Sequence, residues 1–246
     1  MKKYSFLFLV LLTSLSVRDG FCLSYEDIKK YAEEKYLDPM AKDVGGVLGG
    51  GYYHYAKNLG LPGFDIGIRV PVKNISDDDI VLKSTDSKNT IILLPLVQVE
   101  IGLPMNFDLI VRGISFEKIS VFGGAIRYTF FSSKTLLDFS ISGIIGYGSL
   151  SHDYMKANTT SANVIASIGI PIVKPYIGFG YDTSTLIAGD KAKKENPALE
   201  DIKGEYSGTR FEIGANISPF PFVYLYGGYN SIYGDAGYTF GLGVKF

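Results

Sequence analysis

Apolar and polar residues alternate along most of the chain beyond residue 63. The alternation is clearest in four segments, 137–148, 162–170, 209–217 and 238–246. A period of two places successive side chains on opposite faces of an extended strand, so each segment predicts a strand with one apolar and one polar face. Ten such strands can be placed between Phe64 and Phe246.

A different period precedes the strands. Apolar residues recur at helical spacing, with charged residues on the opposite side, and the apolar set is Tyr25, Ile28, Tyr31, Ala32 and Tyr36. This spacing predicts an amphipathic helix over residues 25–36. We expect it to end near Asp38-Pro39, because a residue before proline disfavours helical geometry. The glycine-rich stretch 45–51 follows as a flexible or tightly packed connection.

Two architectures share strands with one apolar face: a soluble sandwich or barrel, and a membrane barrel with its apolar face outside. The placement of charge separates them. Charged residues in the strands fall on the parity occupied by Gly and Ser, and these residues are Asp65, Arg69, Glu100, Asp108, Arg112, Arg127, Asp138, Asp182, Arg210, Glu212 and Lys245. The other parity carries Phe, Ile, Val and Tyr as far as the strand ends, which is typical of a lipid-facing band with aromatic girdles. The pattern therefore predicts charges in a lumen.

Connection lengths support the barrel. Short links at 104–105, 132–133, 171–174 and 218–219 alternate with connections that are mostly longer, such as 73–89 and 189–204. Short turns on one rim and long loops on the other are typical of outer-membrane barrels. The sequence predicts an all-β, transmembrane antiparallel β-barrel of about 10–12 strands, with the short N-terminal helix in or capping its lumen. The count stays open because Gly51–Ala56 reads as a partial strand or a lumen segment, and Ile75–Leu82 as a possible further strand.

The first 22 residues have the features of a secretory signal peptide. Lys2 and Lys3 precede an apolar run, Phe6–Leu12, and Gly20 and Cys22 offer small side chains for cleavage. The apolar run is too short to span a bilayer comfortably. The predicted organisation is therefore a signal peptide over 1–22, a helix with a glycine-rich linker over 23–48, and the barrel over 49–246.

Composition narrows the chemistry. The formal net charge of −1 argues against a nucleic-acid partner, and the single Cys argues against a disulfide framework. Two histidines alone do not make a metal site. His152 has Ser149, Ser151 and Asp153 beside it in a predicted loop, but no Ser–His–acid set shares parity and depth. We therefore expect no catalytic residues, no metal, no cofactor and no enzyme activity.

The end of the chain carries a resemblance. The alternating residues Tyr238, Phe240, Leu242, Val244 and Phe246 resemble the C-terminal strand of Gram-negative outer-membrane proteins. That resemblance implies an outer-membrane location in contact with lipid, and recognition of the strand by the barrel-assembly machinery after delivery by periplasmic chaperones. The stretch from Asp38-Pro39 to Lys57, followed by Gly63-Phe64-Asp65, is similar to uncharacterised Bacteroidetes-type outer-membrane barrels that begin with a small helix.

Two functions fit these expectations. The first is a passive conduit or binding barrel for small apolar or amphipathic molecules, because Leu94, Leu96, Ile110 and Ile165 share the inward parity. In this hypothesis the helix over 25–36 is a plug. The alternative is a structural or interaction barrel whose lumen is sealed by a salt-bridged network, with surface loops that meet partners. The near balance of lumen acids and bases favours mutual neutralisation over a strongly ion-selective pore.

Overall fold

The computed structural model describes residues 34–85, 90–116, 118–133, 138–195, 197 and 202–246. The strands form one antiparallel sheet in which each pairs with its neighbour along the chain, and the last strand pairs with the first to close a barrel. The strands are β1 Phe64–Asn74, β2 Ile91–Leu93, β3 Leu96–Gly102, β4 Phe107–Phe116, β5 Ile119–Ser132, β6 Asp138–Ser151, β7 Met155–Gly169, β8 Val173–Ala188, β9 Lys203–Phe220, β10 Val223–Ile232 and β11 Asp235–Lys245. The helices are α1 Glu34–Leu48, α2 Ile80–Thr85 and α3 Asp190–Glu195.

Eleven strand segments make ten positions in the wall. Both β2 and β3 pair with β1, in the registers Val72↔Leu93 and Asp65↔Glu100. They are two parts of one strand, interrupted at Leu94-Pro95, where proline offers no N–H to the ladder. The predicted closed barrel of ten to twelve strands is thus confirmed, with ten.

The barrel has two distinct rims. We call the end where β1 begins and β11 finishes the C-terminal rim; its connections, 103–106, 133–137, 170–172 and 221–222, are short. The opposite end, the loop rim, carries the two longest connections between strands, 75–90 and 189–202. The other three connections at the loop rim, 117–118, 152–154 and 233–234, are as short as those of the C-terminal rim. The predicted division into short turns and mostly longer connections therefore holds only for 75–90 and 189–202.

The lumen is occupied by the chain's own N-terminal part, and we call residues 37–59 the plug. Helix α1 begins at the loop rim, where the Asp38 carboxylate accepts the backbone N–H of Glu205 at 2.8 Å. It ends inside the barrel, and an irregular segment continues to the C-terminal rim. There the backbone N–H of Leu59 donates to Asp108 at 2.9 Å, shortly before β1 begins.

The predicted end of the N-terminal helix is wrong. Helix α1 passes through Asp38-Pro39 and continues to Leu48. Its apolar stripe, formed by Leu37, Met40, Ala41, Val44 and Leu48, is buried against the inner wall. Burial of this stripe overrides the local preference of a residue before proline. The part of the prediction at residues 25–33, including Tyr25, Ile28, Tyr31 and Ala32, lies outside the described residues, while Tyr36 is within α1.

The structure also shows the conformation of the two segments that left the strand count open. Gly51–Ala56 is a lumen segment and not a strand, and residues 75–82 enter helix α2 and not a further strand. Within the described ranges, no helix is long and apolar enough to cross a membrane.

Candidate functional site in the barrel lumen

The eleven charged residues on the small-residue parity lie on the inner side of the wall. Nine of them are at most 3% exposed, while Asp138 and Lys245 are half-buried. Their spacing along the strands explains this placement: Asp65 and Arg69 are four residues apart on β1 and so share one face. A charge inside protein needs a partner, because desolvation otherwise outweighs its favourable interactions.

One group of these charges lies toward the C-terminal rim. The Arg127 guanidinium bridges two carboxylates, with 2.9 Å to Glu100 and 2.9 Å from its Nε to Asp108. Arg69 pairs with Asp65 at 3.0 Å, and the Tyr224 hydroxyl donates to the same carboxylate at 2.7 Å. Arg69 also lies 3.7 Å from Glu100, so strands β1, β3, β4 and β5 are joined across the lumen face, and Tyr224 adds β10.

A second group lies deeper. The Nε of Arg210 donates to Asp182 at 3.0 Å, and the Tyr233 hydroxyl donates to the same carboxylate at 2.9 Å. Glu212 accepts bonds from the hydroxyls of Tyr176 and Thr239, at 2.8 and 2.9 Å. Asp138, by contrast, is the first residue of β6 at the C-terminal rim, where it pairs with Lys57 of the plug.

Arg112 departs from the mutual neutralisation of acids and bases that the sequence predicts for the lumen. Its guanidinium donates to the backbone carbonyls of Leu48 and Gly50, and lies 3.7 Å from the ring centroid of Tyr52. Among the described residues it has no carboxylate within 4.0 Å. Its partners are therefore all in the plug.

These contacts complete the hydrogen bonding at the end of α1. The last four carbonyls of a helix have no partner within it and carry its negative dipole end. The Gly45 and Val47 carbonyls accept the N–H groups of Gly49 and Gly50, at 2.9 and 3.1 Å. Arg210 donates to the Gly46 carbonyl at 2.7 Å, and Arg112 donates to the Leu48 carbonyl. Two wall arginines thus cap a helix that ends inside the barrel.

Glycines on the inner wall leave room for the plug. A Cβ at Gly148 would lie 2.9 Å from Leu48 Cγ, and one at Gly178 would lie 2.8 Å from the Tyr53 ring. The Gly and Ser parity that resembled a solvent face is therefore largely a surface that contacts the plug. Ser167 adds a hydrogen bond, because its Oγ accepts the N–H of Ala56 at 3.0 Å.

A polar cluster near the loop rim was missed by the sequence reasoning. Lys73 pairs with Asp43 of α1 and, at 2.8 Å, with Asp235 of β11. Ser76 donates to Asp43 from its N–H and hydroxyl, at 2.9 and 2.6 Å. We call Lys42, Asp43, Lys73, Ser76, Asp79 and Asp235 the helix clamp. Lys73 continues the four-residue spacing of Asp65 and Arg69, which is the signal that could have found it.

Asp79 of the helix clamp is fully buried and begins α2, where its carboxylate accepts the N–H of Leu82 at 2.8 Å. Burial raises the pKa of this carboxyl from its ordinary value near 3.8 to about 7, and nearby Asp43 adds to the rise. The helix clamp holds three carboxylates against two ammonium groups, so a proton on Asp79 balances its charge.

The apolar lumen residues that suggested a cargo are covered. Leu94 and Leu96 pack in one buried cluster with the stripe of α1. Ile110 and Ile165 pack in another with Tyr52, Tyr53 and Ala56 of the plug. The lumen surface is thus used for packing within the chain.

The two histidines occupy different environments. His54 of the plug is 3% exposed and stacks on Tyr224, with ring centroids 5.5 Å apart. His152 lies in the turn between β6 and β7, where its Nδ1 accepts the N–H of Tyr154 at 3.3 Å. Over the part of the chain that is described, no group of three His, Cys, Asp or Glu residues could hold a metal ion.

Fold and lumen together define a ten-stranded barrel whose lumen holds residues 37–59 of its own chain. The chain belongs to the family of unknown function DUF6588, whose sequence profile matches residues 82–246. That match lies beyond the residues that resembled Bacteroidetes-type barrels, and the Bacteroidetes assignment is not confirmed. The search of curated proteins found no match.

Solved outer-membrane barrels are similar at low identity. The N-terminal β-barrel domain of Pseudomonas aeruginosa OprF is 16% identical, with 76% of this chain and 99% of that chain covered and a TM-score of 0.36. An outer membrane channel from Pseudomonas putida F1 is 10% identical over 80% of this chain and 98% of its own, with a TM-score of 0.44. The KdgM porin, solved with oligogalacturonate, is 10% identical over 74% and 99%, with a TM-score of 0.40.

Proposed function

We propose that the protein is a non-enzymatic outer-membrane β-barrel of a Gram-negative bacterium whose resting state is closed by its own plug. The outer face supports the membrane location. Large apolar side chains there stand exposed along the middle of the wall, for example Phe122 at 64%, Ile145 at 70% and Phe179 at 57%. A soluble protein rarely exposes a continuous apolar surface of this kind, whereas a lipid-facing band requires one.

The observation that carries the closed state is the occupancy of the lumen by residues 37–56. Met40, Val44, Val47, Leu48, Tyr52, Tyr53 and Ala56 are each at most 2% exposed. The plug fills space that a ten-stranded wall leaves beyond the reach of its own side chains. This supports the sealed structural or interaction barrel as the resting form.

The contacts of the plug favour a second candidate, a gated conduit for small amphipathic solutes. The plug contributes no strand to the wall, and many of its contacts are polar, including the helix clamp and the two arginine caps. A segment held in this way can leave without breaking the sheet. Passage would then expose the apolar patches around Leu96 and Ile110 that the plug now covers.

Leakage from liposomes distinguishes these candidates. The chain from residue 23 and a variant without residues 24–56 are reconstituted, and release of a small trapped dye is measured. Impermeable full-length protein with a leaky, folded deletion variant supports a gated conduit. If both are impermeable, the barrel is structural. Leakage through the full-length protein contradicts the closed resting state.

We propose further that β11 is the signal read by the barrel-assembly machinery after delivery by periplasmic chaperones. Tyr238, Phe240 and Phe246 stand 49%, 52% and 64% exposed on one side of a strand that closes the wall. Deleting Phe246 should lower the amount of heat-modifiable, folded barrel in cells. Normal amounts would contradict this role.

A further inference from the structure

A cavity lies beside the plug at the C-terminal rim. Its volume is about 500 Å³, and it lies between Tyr55 of the plug and the walls of β8 to β11. Cavities of this size commonly hold a small ligand. Its lining divides into a polar inner part and an apolar mouth.

Two ammonium groups face the inner part without a carboxylate partner. The Nζ atoms of Lys174 and Lys245 lie 5.5 and 4.9 Å from the centroid of the Tyr55 ring. Lys174 donates to the Ser218 hydroxyl at 2.8 Å. Within the described ranges, neither Nζ lies within 4.0 Å of a carboxylate. A half-buried cation without a counter-charge is costly, and a bound anion would remove that cost.

The neighbouring charges do not neutralise these lysines. Arg69 and Arg127 pair with Asp65, Glu100 and Asp108, and Lys57 of the plug pairs with Asp138 at the same rim. Counting Lys174 and Lys245, five cations therefore face four side-chain carboxylates. Asp65 also borders the cavity; its Oδ1 accepts bonds from Arg69 and from the Tyr224 hydroxyl, and its Oδ2 has no hydrogen-bond partner.

The mouth of the cavity has the opposite character. Phe220, Phe222 and Phe246 border it and are 70%, 62% and 64% exposed. These side chains stand at the rim where the proposed lipid-facing surface ends. A guest here would meet cations at one end and apolar rings at the other.

We propose that this cavity binds an amphipathic anion, with its charged head at Lys174 and Lys245 and its apolar chain along Phe220, Phe222 and Phe246. A long-chain carboxylate from solution and an anionic phospholipid of the surrounding leaflet share this chemistry. The site goes beyond the proposed closed barrel, and it does not depend on movement of the plug.

Calorimetric titration of the intact chain tests the site. Sodium laurate is titrated into the protein refolded in a non-ionic detergent, and we expect saturable binding of one laurate per barrel. The double variant Lys174→Gln, Lys245→Gln should bind laurate at least about tenfold more weakly, because it removes both charge-assisted contacts. Lys174→Arg with Lys245→Arg should retain binding, because both charges remain.

The controls test separately the charged head of the ligand, its apolar chain and the folding of each variant. Lys118→Gln changes an exposed lysine at the loop rim and should leave the affinity unchanged. Sodium acetate and dodecanol each lack one half of the proposed ligand and should bind weakly or not at all. Heat-modifiable migration verifies that every variant is folded. Equal laurate affinity in the double glutamine variant and the wild type would overturn the site.

The source of the ligand is tested in nanodiscs. Laurate is titrated against barrels in phosphatidylcholine discs with and without phosphatidylglycerol. A lower apparent affinity in the anionic discs, absent from the double variant, assigns the site to a leaflet lipid. Unchanged affinity assigns it to an amphiphile from solution. A decrease of equal size in the double variant would mean that anionic discs repel laurate generally, and would remove the leaflet lipid as a candidate.

Discussion

At the scale of single residues, Arg112 and Arg210 link a helix end to the barrel wall. Carbonyls at the end of a helix that points into a lumen have no bulk water to bond, so the wall must supply donors. Guanidinium groups suit this role because they carry several donors in a fixed geometry and a charge that complements the helix dipole. The arginines of β4 and β9 therefore hold the plug as well as the wall.

Replacement of Arg112 tests this role. Arg112→Lys keeps the charge but cannot bridge the Leu48 and Gly50 carbonyls while stacking on Tyr52. We expect docking of the plug to weaken by on the order of 2 kcal/mol. Hydrogen exchange measured by mass spectrometry should accelerate in peptides from residues 45–56 and remain unchanged in β6 and β7. Lys118→Gln serves as the control, and equal exchange in the Arg112→Lys and control proteins would exclude the capping role.

The sequence could predict which residues face inward, but not every group with which they form a hydrogen bond or an ion pair. The parity of Asp65, Arg127 and Glu212 follows from the period of a strand, which is a local property. Whether an arginine meets a carboxylate or a carbonyl depends on the path of the plug through the lumen. That path has no counterpart in strand periodicity, so the partners of Arg112 could not be read from the chain.

At the scale of elements, the contact between α1 and β8 depends on a missing side chain. A Cβ at Gly45 would lie 2.0 Å from the Ser184 Oγ and 2.4 Å from its Cβ. The helix approaches the wall so closely because glycine has no side chain there. The sequence predicts residues 45–51 as a flexible or tightly packed connection. The tight packing is present, but the helix that continues to Leu48 was not predicted, because glycine has a low intrinsic helix propensity.

A clash and its relief test this contact. Gly45→Ala should displace α1 from β8 and weaken docking by about 1–3 kcal/mol, as overpacking of a close contact commonly does. Adding Ser184→Gly removes the opposing side chain and should restore most of the loss. Protease cleavage within α1 of barrels in detergent gives the readout. The contact is misassigned if the double variant is cleaved as fast as Gly45→Ala.

The helix clamp gives the docking of α1 a pH dependence. Because the native pKa of Asp79, about 7, lies above the unfolded value near 3.8, the docked state holds more protons between these values. The stabilisation of docked α1 by protonated Asp79 is complete below about pH 4 and is lost as the pH rises through about 7. Exchange of peptides from residues 40–48, corrected for intrinsic rate, should therefore be faster at about pH 8 than at about pH 5.

Asparagine at this position isolates the proton. Asp79→Asn keeps an acceptor for the N–H of Leu82 but cannot ionise, so its corrected exchange should be nearly independent of pH. Asp77→Asn changes an exposed carboxyl two residues earlier and should behave like the wild type. An Asp79→Asn protein with the full wild-type pH response would show that other groups cause it.

At the scale of the whole molecule, the path of the chain explains the inside-out distribution of residues. The plug enters at the loop rim and crosses the lumen to the C-terminal rim, where β1 starts the wall. Inner positions must then be small or paired, because a chain segment lies against them, and outer positions are free to be apolar. The sequence pattern predicted this wall well because each strand repeats it. The plug occurs once in the chain, so its course beyond the predicted helix could not be inferred from a repeated pattern.

Two arginine substitutions on the outer face test the membrane-spanning wall at two depths. Ile145 is 70% exposed near the middle of β6, and Phe116 is 60% exposed at the last residue of β4. In a bilayer, Ile145→Arg should lower the free energy of unfolding by about 2–4 kcal/mol, and Phe116→Arg by about 0–1 kcal/mol, because the cost of a charge falls toward the interface. Urea unfolding from phosphatidylcholine vesicles, followed by heat-modifiable migration, measures both. A water-exposed wall would tolerate both arginines about equally, so equal and small effects would place this face outside the membrane.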